Sequence, residues 1–283
     1  MRVLNELAVL VAYALWRCIL RNVDMNTALV TGASSGIGYE LARLLASSGR
    51  SLMLVSRDET RLREVSAQLG KEFGVPVAWR ATDLSDGHGA EQLWADVDGH
   101  GVAVDVLVNC AGVGAYGEFA GQPLDVIQRM VTLNVAALTT LTRLALPGMI
   151  ARRQGQILNV ASLAAYQPAG PRMSVYYATK SYVLSFSKGV ADELTGTGVS
   201  VTALCPGPTA SAFENRSGAH GTGLYGLMPQ MSARDVAAAG YHGMLRGRPV
   251  VTPGLLTKIA AFAGELPPRS LALAVNRFLL KRT

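Results

Sequence analysis

Two tyrosines and a lysine stand close enough in the chain for acid–base work. Tyr176 and Lys180 are four residues apart, and Tyr177 and Lys180 three, within a stretch patterned as a helix over 176–195. Both separations put the side chains near one helix face. A free phenol, with a pKa near 10, is a poor base at neutral pH. A neighbouring ammonium favours the phenolate and brings proton exchange with a substrate oxygen within reach. Alone, such a pair is more often a packed stem beside a solvated charge. It gains weight from Thr31-Gly32-Ala33-Ser34-Ser35-Gly36-Ile37-Gly38, far upstream, between an apolar run and a helical one. Glycines there let the backbone turn tightly and approach a pyrophosphate, and the free N–H groups of the following helix face the phosphates.

These residues need a frame to bring them together, and the hydropathy pattern supplies one. Strands are expected at 27–31, 51–56, 77–82, 104–109, 156–161 and 199–205, with a seventh at 248–252. Helices are expected at 38–48, 59–73, 89–97, 124–150 and 176–195. The strands are apolar at nearly every residue, as in a parallel sheet covered on both faces. Alternating strand and helix gives right-handed crossovers and an α/β, doubly wound parallel sheet of the Rossmann kind in a single domain, 25–283. The stretch from Pro206 to about 232, with five glycines before Met231, follows a strand's carboxyl end and reads as a substrate loop.

The bulk composition narrows the function classes. At 49% apolar and 16% charged residues, the 283-residue chain has ample core and is not disordered overall. A net charge of +6 suits nucleic acid, anionic lipid or a phosphorylated cofactor. The basic residues form no long run and aromatics are only 6%, which argues against a nucleic-acid binder. Cys18, Cys110 and Cys205 are scattered, with no CxxC pair, so neither a disulfide framework nor a metal site is expected. Cys110 and Cys205 read as buried small hydrophobes in a reducing, cytoplasmic setting.

Both ends carry apolar helical patterns. Within 1–24, Leu4, Leu7, Val11, Leu15 and Cys18 recur at helical spacing, but the apolar run is shorter than the roughly 20 residues a membrane span needs. A docked helix, a helix at a membrane surface, or a true start at Met25 all remain open. At 268–282, Leu271, Val275, Phe278 and Leu279 form one face flanked by Arg269, Arg277, Lys281 and Arg282. That suits a helix packed on the core or a basic helix at a membrane interface.

The glycine loop, spaced Gly-x3-Gly-x-Gly, and the Tyr176-Tyr177-Ala178-Thr179-Lys180 segment together resemble the short-chain dehydrogenase/reductase family, over roughly 26–251. Asn109-Cys110-Ala111-Gly112 resembles the family's NNAG, with Cys in place of the second Asn. Asp83 resembles its adenine-contacting Asp, and Pro206-Gly207, with Thr209 beyond, its nicotinamide-side turn. The resemblance implies an NADP(H)- or NAD(H)-binding oxidoreductase. Its cofactor contacts would be Gly32, Ser34, Ser35, Gly36, Ile37, Gly38, Arg57, Asp83, Asn109, Ala111, Gly112, Tyr176, Lys180, Pro206, Gly207 and Thr209. It selects Tyr176 over Tyr177 as the proton donor. Lys180 would lower the phenol's pKa, aided by a cationic nicotinamide, and hydrogen-bond the ribose. Ser162, fourteen residues before Tyr176, would bind the substrate oxygen. Asn134 would hold a water in a proton relay.

Cofactor choice follows from charge. An acid after the second strand would bind a ribose 2′-OH, but here Ser56 is followed by Arg57, whose guanidinium can clasp a 2′-phosphate. NADP(H) is therefore expected over NAD(H), unless Arg57 pairs with Asp58 or Glu59. The expected partner is a small carbonyl or alcohol, lipophilic if the apolar ends are a guide, with Met173, Tyr166 and the loop after Pro206 beside it. Family members also pair through their two long helices, which implies a homo-oligomer. Neither a zinc dehydrogenase, for want of a Cys/His cluster, nor a non-catalytic nucleotide-binding or interaction protein on the same fold accounts for the residues as well.

Overall fold

The computed structural model describes residues 26–223, 226, 228–266 and 268–281. The N-terminal extension 1–24, the alternative start at Met25, and Arg282 lie outside them. From the N-terminus run β1 (Thr27–Thr31), α1 (Gly36–Ser47), β2 (Ser51–Ser56), α2 (Glu59–Phe73), β3 (Val77–Ala81), α3 (Gly89–Gly99) and β4 (Val104–Asn109). Then come α4 (Leu124–Val131), a π turn (Thr132–Ala137), α5 (Leu138–Arg152), β5 (Gly155–Val160), a 3-10 turn (Leu163–Tyr166), α6 (Ser174–Glu193) and β6 (Val199–Leu204). The C-terminal part holds β7 (Thr209–Ala210), α7 (Phe213–Ser217), β8 (Met231–Ser232), α8 (Ala233–Leu245), β9 (Val250–Val251), α9 (Leu255–Glu265) and α10 (Arg269–Leu279).

Seven parallel strands pair in the order β3-β2-β1-β4-β5-β6-β9, so the direction of strand addition reverses beside β1. Successive strand residues feed opposite layers. Ala28 and Val30 pack with Leu41, Leu45, Leu62 and Val236, from α1, α2 and α8. Leu29, between them, packs with Leu93, Leu141 and Met149, from α3 and α5. This is the doubly wound sheet expected from strands that are apolar on both faces. The crossover over Leu124–Arg152 is long and apolar enough to cross a membrane by composition alone, yet its inner face is part of this core.

Two readings need correction, and two regions hold elements the sequence did not announce. The helix expected over 124–150 is broken by the π turn, which places Asn134 in a wide, irregular turn. The seventh strand is only two residues long, Val250–Val251, paired with Ala203 and Leu204. The stretch 206–232, expected as a substrate loop, carries short elements of its own: β7 pairs with β8 across it and α7 lies between them. Finally, α8 and α9 are helices that the glycine- and alanine-rich pattern does not announce.

Candidate active site

The carboxyl ends of the strands, the segment 206–232 and the last two helices line one cleft of about 620 Å³, a size ordinary for a ligand site. Its floor begins at the glycine loop. Gly32 sits at φ +68°, and a Cβ there would come 2.9 Å from the Ala111 amide nitrogen. A Cβ on Gly38 would collide with the Gly32 carbonyl oxygen. The loop is therefore held against β4 and α1 by the absence of side chains. Thr31 fastens the other side, its Oγ1 accepting from the amides of Cys110 (3.0 Å) and Ala111 (3.1 Å). Helix α1 begins at this loop with no side-chain cap and no acid in its first turn. Its unpaired amides and positive dipole end thus remain available to an anion.

Among the expected contacts, Gly32, Ser34, Ser35, Gly36, Ile37, Gly38, Arg57, Asp83, Ala111, Gly112, Pro206, Gly207 and Thr209 all line this cleft. Arg57 is exposed and forms no hydrogen bond or ion pair among the described residues. Its two acidic neighbours are engaged elsewhere: Asp58 caps α2 by accepting from the Arg61 amide, and Glu59 pairs with Arg63 at 2.5 Å. Asp83 accepts from Ser85 through Oδ1 (2.6 Å from the hydroxyl) and from Arg129 through Oδ2 (2.9 Å). Burial works to raise its pKa, but the Ser85 hydrogen bonds and the charges of Arg57 and Arg129 outweigh it and lower the pKa overall.

Asn109 is different. Its side chain does not reach the cleft; it is 3% exposed and donates to Thr142 Oγ1 (3.1 Å) and Asn159 Oδ1 (2.9 Å). It ties β4 to β5 and α5 inside the core, so the expected cofactor contact is replaced by a structural one. Cys110, which the motif reading treated only as buried filler, lines the cleft. Burial pushes its thiol up to about 12 and keeps it neutral.

The reacting side of the cleft gathers Ser162, Tyr176 and Lys180. Lys180 is 7% exposed and donates from Nζ to the Val160 carbonyl at 2.7 Å. Burial lowers its pKa to about 8. Tyr176 is 9% exposed, and within the protein alone its pKa is raised rather than lowered. Burial raises it to about 12 against the opposing hydrogen bond with Ser162, while the Lys180 ammonium lies 5.9 Å from the ring centroid. The burial cost exceeds what the Ser162 hydrogen bond returns. Ser162 opens the 3-10 turn, accepting from the Ala164 amide, and the next residue is bonded to the Pro206 carbonyl at 2.7 Å. That contact joins the β5 end to the Pro206-Gly207 turn.

Asn134 lies behind this wall rather than on it. Its Oδ1 accepts from the Val113 amide (3.0 Å), and its Nδ2 donates to the Val113 carbonyl (2.9 Å) and Thr179 Oγ1 (3.1 Å). Both amide hydrogens are engaged by protein, while Oδ1 accepts one bond and keeps a second lone pair. Both Asn134 Oδ1 and Lys180 Nζ lie within 3.5 Å of where a Gly112 Cβ would stand.

Met173 lines the cleft as expected, whereas Tyr166 does not. Tyr166 turns to Thr252, hydroxyl to hydroxyl at 3.2 Å, because the 3-10 turn carries it toward β9. Tyr177 also lines the cleft and meets Tyr176 edge-on. Sequence reasoning missed Phe213, packed 5.3 Å from the Tyr176 ring, and Arg216, whose guanidinium donates to Ser35 Oγ at 3.2 Å. It also missed Leu266, and did not place Leu271, Val275 and Leu279 at the cleft. No short motif marks any of them.

A family model described as short chain dehydrogenase matches residues 26–220. A ketoacyl reductase of Nostoc is 38% identical over 186 residues, covering 64% of this chain and 63% of that one. The very-long-chain 3-oxoacyl-CoA reductase of Bos taurus is 34% identical over 185 residues, covering 63% and 58%. The matched part thus spans about six tenths of the length of these curated relatives. A solved short-chain dehydrogenase from Sphingobium yanoikuyae in complex with NADPH is 32% identical, with a TM-score of 0.75, covering 89% of this chain and 94% of that one.

Proposed function

The chain belongs to the short-chain dehydrogenase family, and from that premise we propose that it is an NADP(H)-dependent oxidoreductase interconverting a carbonyl and an alcohol on a lipophilic substrate. The observation that carries the reading is one cleft in which a glycine cradle, too tight for a Cβ at Gly32 and Gly38, lies opposite Ser162, Tyr176 and Lys180. The cradle and the open amides of α1 fit a pyrophosphate, and Arg57, exposed beside Asp83, fits a 2′-phosphate better than a bare ribose. When bound, the nicotinamide supplies or accepts the hydride.

The chain's own part is proton transfer and orientation. Ser162 hydrogen-bonds the substrate oxygen and stabilises developing alkoxide charge. Tyr176 gives its phenolic proton to that oxygen in reduction and takes it back in oxidation. A phenol that stays protonated over the whole physiological range suits the reductive direction. Lys180, pinned by Val160, is placed to stabilise the phenolate left behind and to bind the ribose. The turn around Asn134, fixed by Val113 and Thr179, positions the backbone behind Lys180. The apolar wall formed by Met173, Leu266, Leu271 and Val275 favours a lipophilic carbonyl, in keeping with the ketoacyl and 3-oxoacyl-CoA substrates named for relatives. The free Cys110 and Cys205 suit a cytoplasmic compartment. Exposed Leu124, Val131 and Tyr182, on α4 and α6, offer a face for homo-oligomer pairing.

Nicotinamide fluorescence titrations with NADPH and NADH test the assignment. Wild type is expected to bind NADPH tighter. Arg57→Asp is expected to weaken NADPH by about 10- to 100-fold, the usual worth of charge-assisted hydrogen bonds, and to bring NADH ahead. If neither nucleotide binds, the reading fails and a non-catalytic role takes its place.

A further inference from the structure

Helices α9 and α10 carry an apolar surface that the fold leaves uncovered. Leu256, Ile259 and Phe262 on α9 and Leu271, Val275 and Phe278 on α10 are each between 50% and 65% exposed. Their spacing of three and four residues makes a stripe along each helix rather than a scatter. The sequence pattern left Leu271, Val275 and Phe278 either on the core or at a membrane interface, and the inward side chains prove to be Asn276 in α10 and Leu280 just beyond it.

The opposite edges of both helices are fastened to the body. Asn276 Nδ2 donates to the Ala169 carbonyl (2.9 Å), Gln167 Nε2 to the Ala260 carbonyl (3.0 Å), and the Tyr116 hydroxyl to the Leu280 carbonyl (2.6 Å). The exposed stripes are therefore the outer faces of anchored helices. Continuous apolar exposure of this kind marks an interaction site.

Charge identifies the partner. Residues 254–283 contain five basic residues, Lys258, Arg269, Arg277, Lys281 and Arg282, against one acid, Glu265. Lys258, Arg277 and Lys281 are exposed beside the stripes. At 11 residues each, neither helix can cross a bilayer, so an amphipathic pair of this length lies in the surface plane. Moreover, Leu271 and Val275 belong both to the exposed stripe and to the lining of the cleft. The apolar surface thus runs into the mouth of the site.

We propose that α9 and α10 dock the protein on an anionic phospholipid bilayer, with the apolar stripes at the acyl boundary and the basic side chains among the headgroups. A lipophilic substrate would then enter the cleft from the lipid side, a consequence that rests on the oxidoreductase reading; the docking itself does not.

Vesicle flotation of the full chain tests the docking without any turnover. The probes are phosphatidylcholine vesicles with and without phosphatidylglycerol, at low and high salt. Wild type is expected to float with the anionic vesicles and to be released in part by salt. Phe262→Ser with Phe278→Ser removes stripe residues that do not line the cleft, and is expected to cut the floated fraction on the order of tenfold, with melting temperature and NADPH titration retained. Lys258→Glu with Arg277→Glu is expected to abolish the preference for anionic vesicles. Failure of wild type to float overturns the proposal. So does undiminished flotation of the serine variant, which would place binding elsewhere in the chain. A dimer in lipid-free buffer that the serine variant dissociates would show that a second copy covers this face, and would also overturn it.

Discussion

The two walls of the cleft are made of different materials. The wall from β1 to β6 is backbone and polar side chain: the glycine loop, the Asp83 cluster, and Ser162, Tyr176 and Lys180, each fixed by hydrogen bonds to neighbouring strands or turns. The wall from the substrate loop to α10 is mainly apolar surface, much of it facing outward. One wall demands particular residues at particular places, because a Cβ on Gly38 or a missing phenol cannot be compensated. The other asks only for apolar bulk on a helix face, which many sequences satisfy. On the proposed function, chemistry common to a family belongs to the first wall, and choice of substrate to the second.

The comparison breaks most sharply at Tyr176. Tyr176→Phe is expected to lower kcat by about 10²- to 10⁴-fold, the usual worth of a general acid, with NADPH affinity within a few-fold. Tyr177→Phe should leave turnover nearly intact, since that phenol is the neighbour rather than the donor. Steady-state rates beside a nucleotide titration check both, and equal losses in the two variants would undo the assignment of Tyr176.

At Gly38, alanine is expected to weaken NADPH on the order of tenfold and to lower the melting temperature, because the added methyl drives α1 away from Gly32, at an overpacking cost of ~1–3 kcal/mol. Parallel thermal melts and titrations check this. A smaller effect attaches to pH. In the proposed reaction Lys180 acts as its ammonium form, and burial depresses its pKa to about 8. Reductive kcat should therefore be full below that value and fall as pH rises through it, while Tyr176 stays protonated to about 12. A pH–rate profile in Lys180→Arg should lose that limb, because a guanidinium does not titrate there. The smallest change belongs to the second wall. Arg216→Ala removes the link from α7 to Ser35, and should raise KM for NADPH a few-fold while leaving kcat alone.

The same division explains what could be read in advance. Strands β1, β2 and β4 are legible to the residue because burial on both faces leaves a mostly apolar run, broken in β4 only by Asp105 before its end at Asn109. The glycine loop and the Tyr176/Lys180 pair are legible because their spacing is the chemistry. Asn109 was misplaced because a strand sequence does not say which face an isolated polar residue takes, and here it joins Asn159 in the core. Helix α8 was hidden by its own packing. A Cβ on Gly240 would come 2.7 Å from a Leu204 methyl, so the close approach to β6 selects the small residues that blur a helical pattern. The π turn leaves no mark in the sequence around Asn134, since its wide turn answers to contacts with Val113 and Thr179 far along the chain. Arg216 and Phe213 reach the cleft only through the folding of the loop between β7 and β8.

Deuterium transfer tests the central claim most directly. With NADPH deuterated at the hydride-donating position of C4 and a medium-chain 3-oxoacyl ester, mass spectrometry of the product follows the label. The account predicts one deuterium on the new carbinol carbon with wild type, and a rate lower by at least about 10² with Tyr176→Phe. Product without the label, or equal labelling rates in the two proteins, would contradict it.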